Sequence, residues 1–222
     1  MNCGDRATPL RAEEIDRILR QCGLELTERL IESVRIYFTL LQKWNQRINL
    51  TSLRSPSEIV TTHFAESFFA AQYLEKADSP VLDIGSGAGF PGLAMKLSRP
   101  DSCFYLLEPR TKRAAFLSTV RRELGLSELF VLNKAVEECQ ETDFREKPAL
   151  LTERAVGDAA GLIARSLHFS QARVRAMLFL SRVMIDPVLK KLPQFTWWEP
   201  ISIPWSRQRV IVVGQANVKC ST

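Results

Sequence analysis

Metal and redox chemistry have little to work with in these 222 residues. There are two histidines, His63 and His168, and five cysteines, Cys3, Cys22, Cys103, Cys139 and Cys220, with no C-x-x-C pair and no histidine beside them. A structural zinc site needs a tighter cluster, so no metal is expected, and an odd number of scattered thiols points to free cysteines in a reducing compartment. No apolar run reaches the roughly 18 residues of a spanning helix. Met1 to Arg6 lack the apolar centre of a secretory signal, so a cytoplasmic protein without membrane attachment is expected. Repeats and low-complexity tracts are missing too. The bulk composition, 45% hydrophobic and 25% charged, is that of a globular chain, long enough for one large domain or one domain with an appendage. Thirty basic residues against 25 acidic give a net +5. That is mild support for a polyanionic partner, although a solvated surface more commonly explains such an excess.

Glycine is unevenly spread: four of the ten stand between residues 85 and 92. Val81-Leu82-Asp83-Ile84 reads as a buried strand of a parallel sheet covered on both faces. Gly85, Gly87 and Gly89 then form a turn whose backbone can approach a ligand closely and adopt positive φ, and Pro91 suits the first helical position. A dinucleotide fingerprint would need a glycine where Phe90 stands. The order present, Asp-x-Gly-x-Gly-x-Gly, resembles that of the class I S-adenosylmethionine-dependent methyltransferases. A second strand, Cys103 to Leu107, ends in Glu108, about twenty residues on, where a carboxylate can accept ribose hydroxyls. S-adenosyl-L-methionine has no pyrophosphate, so Asp83 is compatible with its ammonium and would sit badly beside two phosphates. The plain alternative is a glycine turn that only joins a strand to a helix.

Before Pro80 the pattern is helical. A short helix is expected from Ala12 to Arg20, and a long one from Thr27 with Leu30, Val34, Tyr37, Phe38, Leu41 and Trp44 on one apolar stripe. Two asparagines break it near Asn45 to Thr51, and Ser57 to Leu74 resumes a helix with Ile59, Val60, Phe64, Phe68, Ala71 and Tyr73 inward. From Pro80 strands and helices alternate, as in a doubly wound sheet. Strands are expected at Phe130–Leu132, Ala149–Thr152 and Met177–Leu180, with helices at Pro91–Leu97, Thr111–Leu124, Asp158–Phe169 and Asp186–Leu192. The helix from Thr111 should turn Ala115, Phe116, Val120 and Leu124 inward. Trp197–Ile203 and Arg209–Val213 read as a terminal antiparallel pair. The expected architecture is therefore α/β: a Rossmann-like, seven-stranded methyltransferase core over residues 80–222 with an N-terminal helical cap over residues 1–79, together one compact unit.

Several stretches narrow the class to a family. LQKWNQRINLTSLRSPSEIVTTHFAES (Leu41 to Ser67), VLDIGSGAGFPGLAMKLSRPD (Val81 to Asp101), LLEPRTKRAAFL (Leu106 to Leu117), AVEE (Ala135 to Glu138) and ERAV (Glu153 to Val156) resemble, in order, the bacterial small-subunit ribosomal RNA guanine-N7 methyltransferase family. The resemblance implies S-adenosylmethionine-dependent methylation of guanine N7 in 16S ribosomal RNA, acting on that RNA or the small ribosomal subunit; a monomer is expected. It implies cofactor contacts from Asp83, Gly85, Gly87, Gly89, Phe90, Glu108, Val136, Glu137 and Arg154. Glu137 could instead be a solvated acid and Arg154 a surface ion pair. For RNA the candidates are Lys43, Asn45, Arg47, Asn49, Arg54, His63, Arg110, Lys112 and Arg113, with His63 open to a purely structural role near Glu66 and Ser67 and Trp44 better suited to core packing. Guanine N7 carries a lone pair and no proton, so no catalytic base is nominated and positioning should suffice. The chain departs from the family at Leu180-Ser181-Arg182, where a lysine-glycine pair is common, and at Ala135, where an arginine is frequent. These departures leave room for a class I methyltransferase acting on another RNA base or a protein, or for a non-catalytic RNA-binding assembly factor.

Overall fold

The computed structural model describes residues 10–154 and 157–218. Cys3, Cys220 and the last two residues of the ERAV stretch, Ala155 and Val156, lie outside the described residues. The chain begins with α1 (Ala12–Gln21) and α2 (Glu28–Asn45), the latter capped where the Thr27 hydroxyl accepts from the Leu30 N–H. The next helical stretch runs unbroken through α3 (Pro56–Ile59), a π-helical segment Val60–Ala65 and α4 (Glu66–Ala71). The heptad-like spacing of Ile59, Val60, Phe64 and Phe68 is that of an inward stripe. After the π turn Glu66 and Ser67 are buried, and the helix ends at Ala71, short of the expected Leu74, so that Tyr73, expected inside, is exposed.

The sheet comprises β1 (Val81–Ile84), β2 (Phe104–Leu107), β3 (Leu129–Leu132), β4 (Leu150–Arg154), β5 (Arg173–Ser181), β6 (Phe195–Trp197), β7 (Ile201–Ser202) and β8 (Arg209–Asn217). Between strands lie α5 (Gly92–Ser98), α6 (Thr111–Glu123), α7 (Ala159–Ser166) and, after β5, α8 (Ile185–Leu189). Strand order is β3-β2-β1-β4-β5-β8-β6, with the first five strands parallel and β8 antiparallel to β5. The expected terminal pair is present in a modified form. Its first member is split into β6 and β7, which pair with successive stretches of β8, so eight strands fill seven lanes. The break falls at Glu199-Pro200, where proline has no N–H for the ladder. Gly214 on β8 is the close-approach point, since a Cβ there would meet the Trp197 ring at 2.3 Å.

Two apolar layers cover the sheet. One face carries Val81, Phe104, Leu106, Met177 and Val213 against the helices of the cap, α5 and α6; the other carries Leu82, Ile84, Tyr105, Leu151 and Leu178 against α7 and α8. The cap thus shares its core with the sheet rather than building one of its own. Within α6 the buried residues are Ala114, Phe116, Leu117 and Val120. Ala115 is exposed and Leu124 only partly buried, a rotation of the expected stripe by about one residue.

Candidate active site between the cap and the strand ends

The turn after β1 follows from its glycines. Gly85, Gly87 and Gly89 have φ of 70°, 56° and 89°, a region that side chains with a Cβ rarely adopt. Its closure is specific: the Gly85 and Ser86 N–H groups donate to the Leu107 carbonyl on β2, and the Gly87 N–H donates to Glu108 Oε2 at 2.8 Å. Glu108 Oε1 accepts from the Arg110 N–H at 2.9 Å, so the acid at the end of β2 is held against the turn from two sides. A carboxylate offers about four acceptor sites, and two of these are occupied here. At Gly87 an added Cβ would meet nothing nearer than 3.7 Å, whereas at Gly89 it would lie 2.2 Å from the Tyr37 hydroxyl oxygen. A Cβ at Gly87 would make only ordinary contacts, with the Gly85 carbonyl at 3.7 Å and the Arg113 guanidinium at 3.8 Å, whereas Gly89 is a tight packing contact with the cap. Such a cradle, with spare acceptors beside it, fits a nucleoside with a neutral ribose.

Phe90, expected among the cofactor contacts, is buried. Its ring is sandwiched between Tyr37, at 5.2 Å and 2° between planes, and His63, at 4.6 Å and 14°. The Tyr37 hydroxyl donates to the Ala88 carbonyl, fastening α2 to the glycine turn. Asp83 is buried as well. Its Oδ2 accepts from the Gly92 N–H at 3.0 Å, while Oδ1 has no hydrogen-bond partner. Burial, with Glu108 nearby, raises its pKa to about 7.

A cavity of about 390 Å³ opens beside this stack, between the cap and the ends of β4 and β5. Its wall includes Thr51, His63, Arg154, Phe179, Leu180 and Met184. His63 Nε2 pairs with the Thr51 hydroxyl at 2.9 Å, while Nδ1 has no partner. Burial, reinforced by Arg154 and Arg209, lowers its pKa to about 3, so the ring is neutral. The ring stacks on Phe90 and the His63 carbonyl accepts from the Ser67 hydroxyl at 2.6 Å, contacts that a structural role near Ser67 would make. Arg154 is not a surface ion pair. Its Nη2 donates to Glu66 Oε2 at 2.9 Å and to the Thr62 carbonyl at 2.8 Å, and Nη1 has no partner. Glu66, fully buried, takes Arg209 on its other oxygen. Sequence reasoning missed this Arg154–Glu66–Arg209 clamp. The one available signal was an acid among the inward residues of an apolar helix.

Other expectations separate. Val136 is buried in a short 3-10 segment, Val136–Glu138, against the α7 side of the sheet. Glu137 is exposed and pairs with Arg165 at 2.9 Å, the solvated role that competed with a cofactor contact. Asn45 closes a loop: its Oδ1 accepts from the Leu50 and Thr51 N–H groups and its Nδ2 donates to the Thr51 carbonyl. Arg113 comes close to the glycine turn, with one guanidinium nitrogen on the Asn49 carbonyl at 2.9 Å and the other 3.8 Å from the Cβ position of Gly87. Lys43, Arg47 and Lys112 line a separate depression of about 290 Å³ with Trp44 and Ile48. Arg54 and Arg110 are exposed. Among the described residues no group of three or more His, Cys, Asp or Glu could hold a metal ion, and no helix is long and apolar enough to cross a membrane.

A parallel sheet of this order, a glycine turn after its first strand and an acid ending its second define a class I S-adenosylmethionine-dependent methyltransferase. Solved structures agree on the fold. The magnesium protoporphyrin IX methyltransferase of Synechocystis PCC 6803 with bound S-adenosylmethionine superposes with a TM-score of 0.60 at 12% identity, covering 86% of this chain and 98% of that one. A fibrillarin/Nop5p complex gives 0.56 at 15% identity over 68% of this chain and 79% of that one. Sequence goes further. Residues 30–182 match the family described as rRNA small subunit methyltransferase G. Curated relatives named ribosomal RNA small subunit methyltransferase G include one from Roseiflexus castenholzii, 34% identical over 90% of this chain and 89% of the relative. Another, from Stutzerimonas stutzeri, is 32% identical over 82% and 83%. The chain belongs to this family, whose members are enzymes that use S-adenosylmethionine to methylate guanine N7 in 16S ribosomal RNA.

Proposed function

We propose that this protein performs its family's reaction in the cavity between the cap and the ends of β4 and β5, with the cofactor held on the glycine turn. The observation that carries the reading is a run of contacts: Phe90 follows Gly89 in the turn and stacks on His63, and His63 and Arg154 line the cavity. When bound, S-adenosylmethionine supplies an electrophilic methyl group on a sulfonium. The chain's own residues then have three tasks. Glu108 offers spare acceptors to ribose hydroxyls, and the open backbone at Gly87 lets the nucleoside approach. His63, neutral and held by Thr51, presents a flat polar ring beside a purine that gains positive charge on methylation. A cationic histidine there would oppose that charge. Arg154 Nη1, unpartnered at the wall, is placed to donate to guanine O6 or a phosphate oxygen. No residue needs to remove a proton, because guanine N7 has none to lose.

The wider partner is the small ribosomal subunit or its 16S RNA, met by a monomer in the cytoplasm through the basic rim of Lys43, Arg47, Arg110, Lys112 and Arg113. The test is incubation with methyl-labelled S-adenosylmethionine and small subunits lacking the mark, followed by borohydride and aniline cleavage at N7-methylguanine. Label with a single break supports the reading. Label without a break moves the target to another base, and no label with intact cofactor binding leaves a non-catalytic assembly factor.

A further inference from the structure

The turn after β5 carries the most exposed large apolar side chain among the described residues. Val183 is 81% and Met184 43% exposed, in a 3-10 turn spanning Arg182–Met184. Single exposed apolar residues are common and need no explanation. This pair differs in being held and in being aimed. Arg182 fixes the start of the turn: its backbone N–H donates to the Gln208 carbonyl at 2.8 Å, Nε to the Arg207 carbonyl at 3.2 Å and Nη2 to the Ser202 hydroxyl at 2.7 Å. The far end is fixed by α8, whose Val188 is buried and whose Ile185 and Leu189 pack on the core. Met184 also lines the proposed reaction cavity, as do the cap residues Thr62 and His63. The turn therefore presents a rigid apolar tip at the lip of the site.

A guanine in an A-form helix shows N7 only in a deep, narrow groove that side chains cannot enter, and a stacked base cannot reach a buried methyl donor. It must leave its stack, and the gap must be filled or the base will return. Apolar side chains inserted between bases commonly do this. We propose that Val183, with Met184 behind it, is the wedge that occupies the stack position vacated by the target guanine while the base enters the cavity past His63. This rests on the function proposed above. The wedge is a positioning element, since neither residue needs to touch the reacting atoms.

The test uses the full chain, S-adenosylhomocysteine and a 16S-derived RNA fragment carrying the guanine that the wild-type protein methylates, with 2-aminopurine as its neighbour. Unstacking of the neighbour raises its fluorescence. Wild-type protein should give a clear rise at saturation. Val183→Ser, alone and with Met184→Ser, should bind the fragment within about twofold of wild type yet lose most of the rise, and kcat on small subunits should fall about tenfold with KM little changed. Val183→Leu should restore both. A rise in the serine variants equal to that of wild type, or no rise with wild type, overturns the wedge, as does a loss of S-adenosylhomocysteine binding in step with the loss of fluorescence. Absence of methyl transfer to small subunits by the wild-type protein overturns instead the function on which it rests.

Discussion

At the scale of single residues, the two glycines of the cradle separate binding from folding. Gly87→Val adds a side chain whose Cβ meets nothing nearer than 3.7 Å, from a backbone of φ 56°, and should leave a folded protein, destabilised by about 1–3 kcal/mol, that no longer binds S-adenosylmethionine by calorimetry. Gly89→Ala drives a Cβ into the Tyr37 oxygen and should show the larger fall in thermal stability of the two, with binding lost only as the fold is lost. Equal effects in both assays would refute the distinction. Asp83 gives a pH signature. Its folded pKa is raised to about 7 from an ordinary carboxyl value of 3.8, so the stability linked to its protonated form is complete below about pH 4 and is lost as pH rises through 7. His63 works in the opposite direction. Its pKa is lowered to about 3, so its contribution is complete above about pH 6.5 and fades as pH falls toward 3. Asp83→Asn keeps an acceptor for the Gly92 N–H and removes the first effect alone. Its stability relative to wild type, measured by urea unfolding, should increase from pH 4 to pH 8, by at most about 4 kcal/mol; a flat difference would mean that Asp83 titrates normally.

At the scale of elements, the clamp on Glu66 ties α4 to β4 and β8. Glu66→Ala strips the counter-charge from Arg154, which is 9% exposed at its side chain, and should cost about 3–5 kcal/mol in chemical denaturation. Replacing the partly exposed Arg209 by Met should cost much less, because Arg154 still faces Glu66. The order of these two costs is the check. These elements also mark what was legible in the sequence. The β1 turn, the acid after β2, the alternation to β5 and the cap's helical stripes could be read, because each is a local pattern of period or spacing. The π segment before Glu66 could not, since its extra residue per turn leaves no compositional trace. Nor could the split of β6 and β7, which depends on register against β8, or the roles of Asn45 and Phe90, which are decided by loop closure and by rings brought in from α2 and the π segment. Residues read from neighbours along the chain were placed well, and those whose partners lie far away were not.

At the scale of the whole molecule, the basic rim predicts how RNA binding answers to salt. If Lys43, Arg47 and Lys112 each neutralise one phosphate, replacing all three by Gln should weaken binding of 16S RNA and reduce the slope of log affinity against log salt by about 2, with S-adenosylmethionine binding unchanged. A parallel shift with the same slope would remove them from the phosphate path. The clamp has a further meaning on the ribosome that makes this chain. Glu66 meets Arg154 across 88 positions and Arg209 across 143, so its burial waits for strands synthesised long after the cap. Until β4 leaves the exit tunnel the acid of the cap has no counter-charge, and until β8 leaves it Glu66 has only one of its two arginines. Nascent chains stopped before Arg154 should therefore be cut by proteases more readily than those stopped between Arg154 and Arg209, and the full chain least of all.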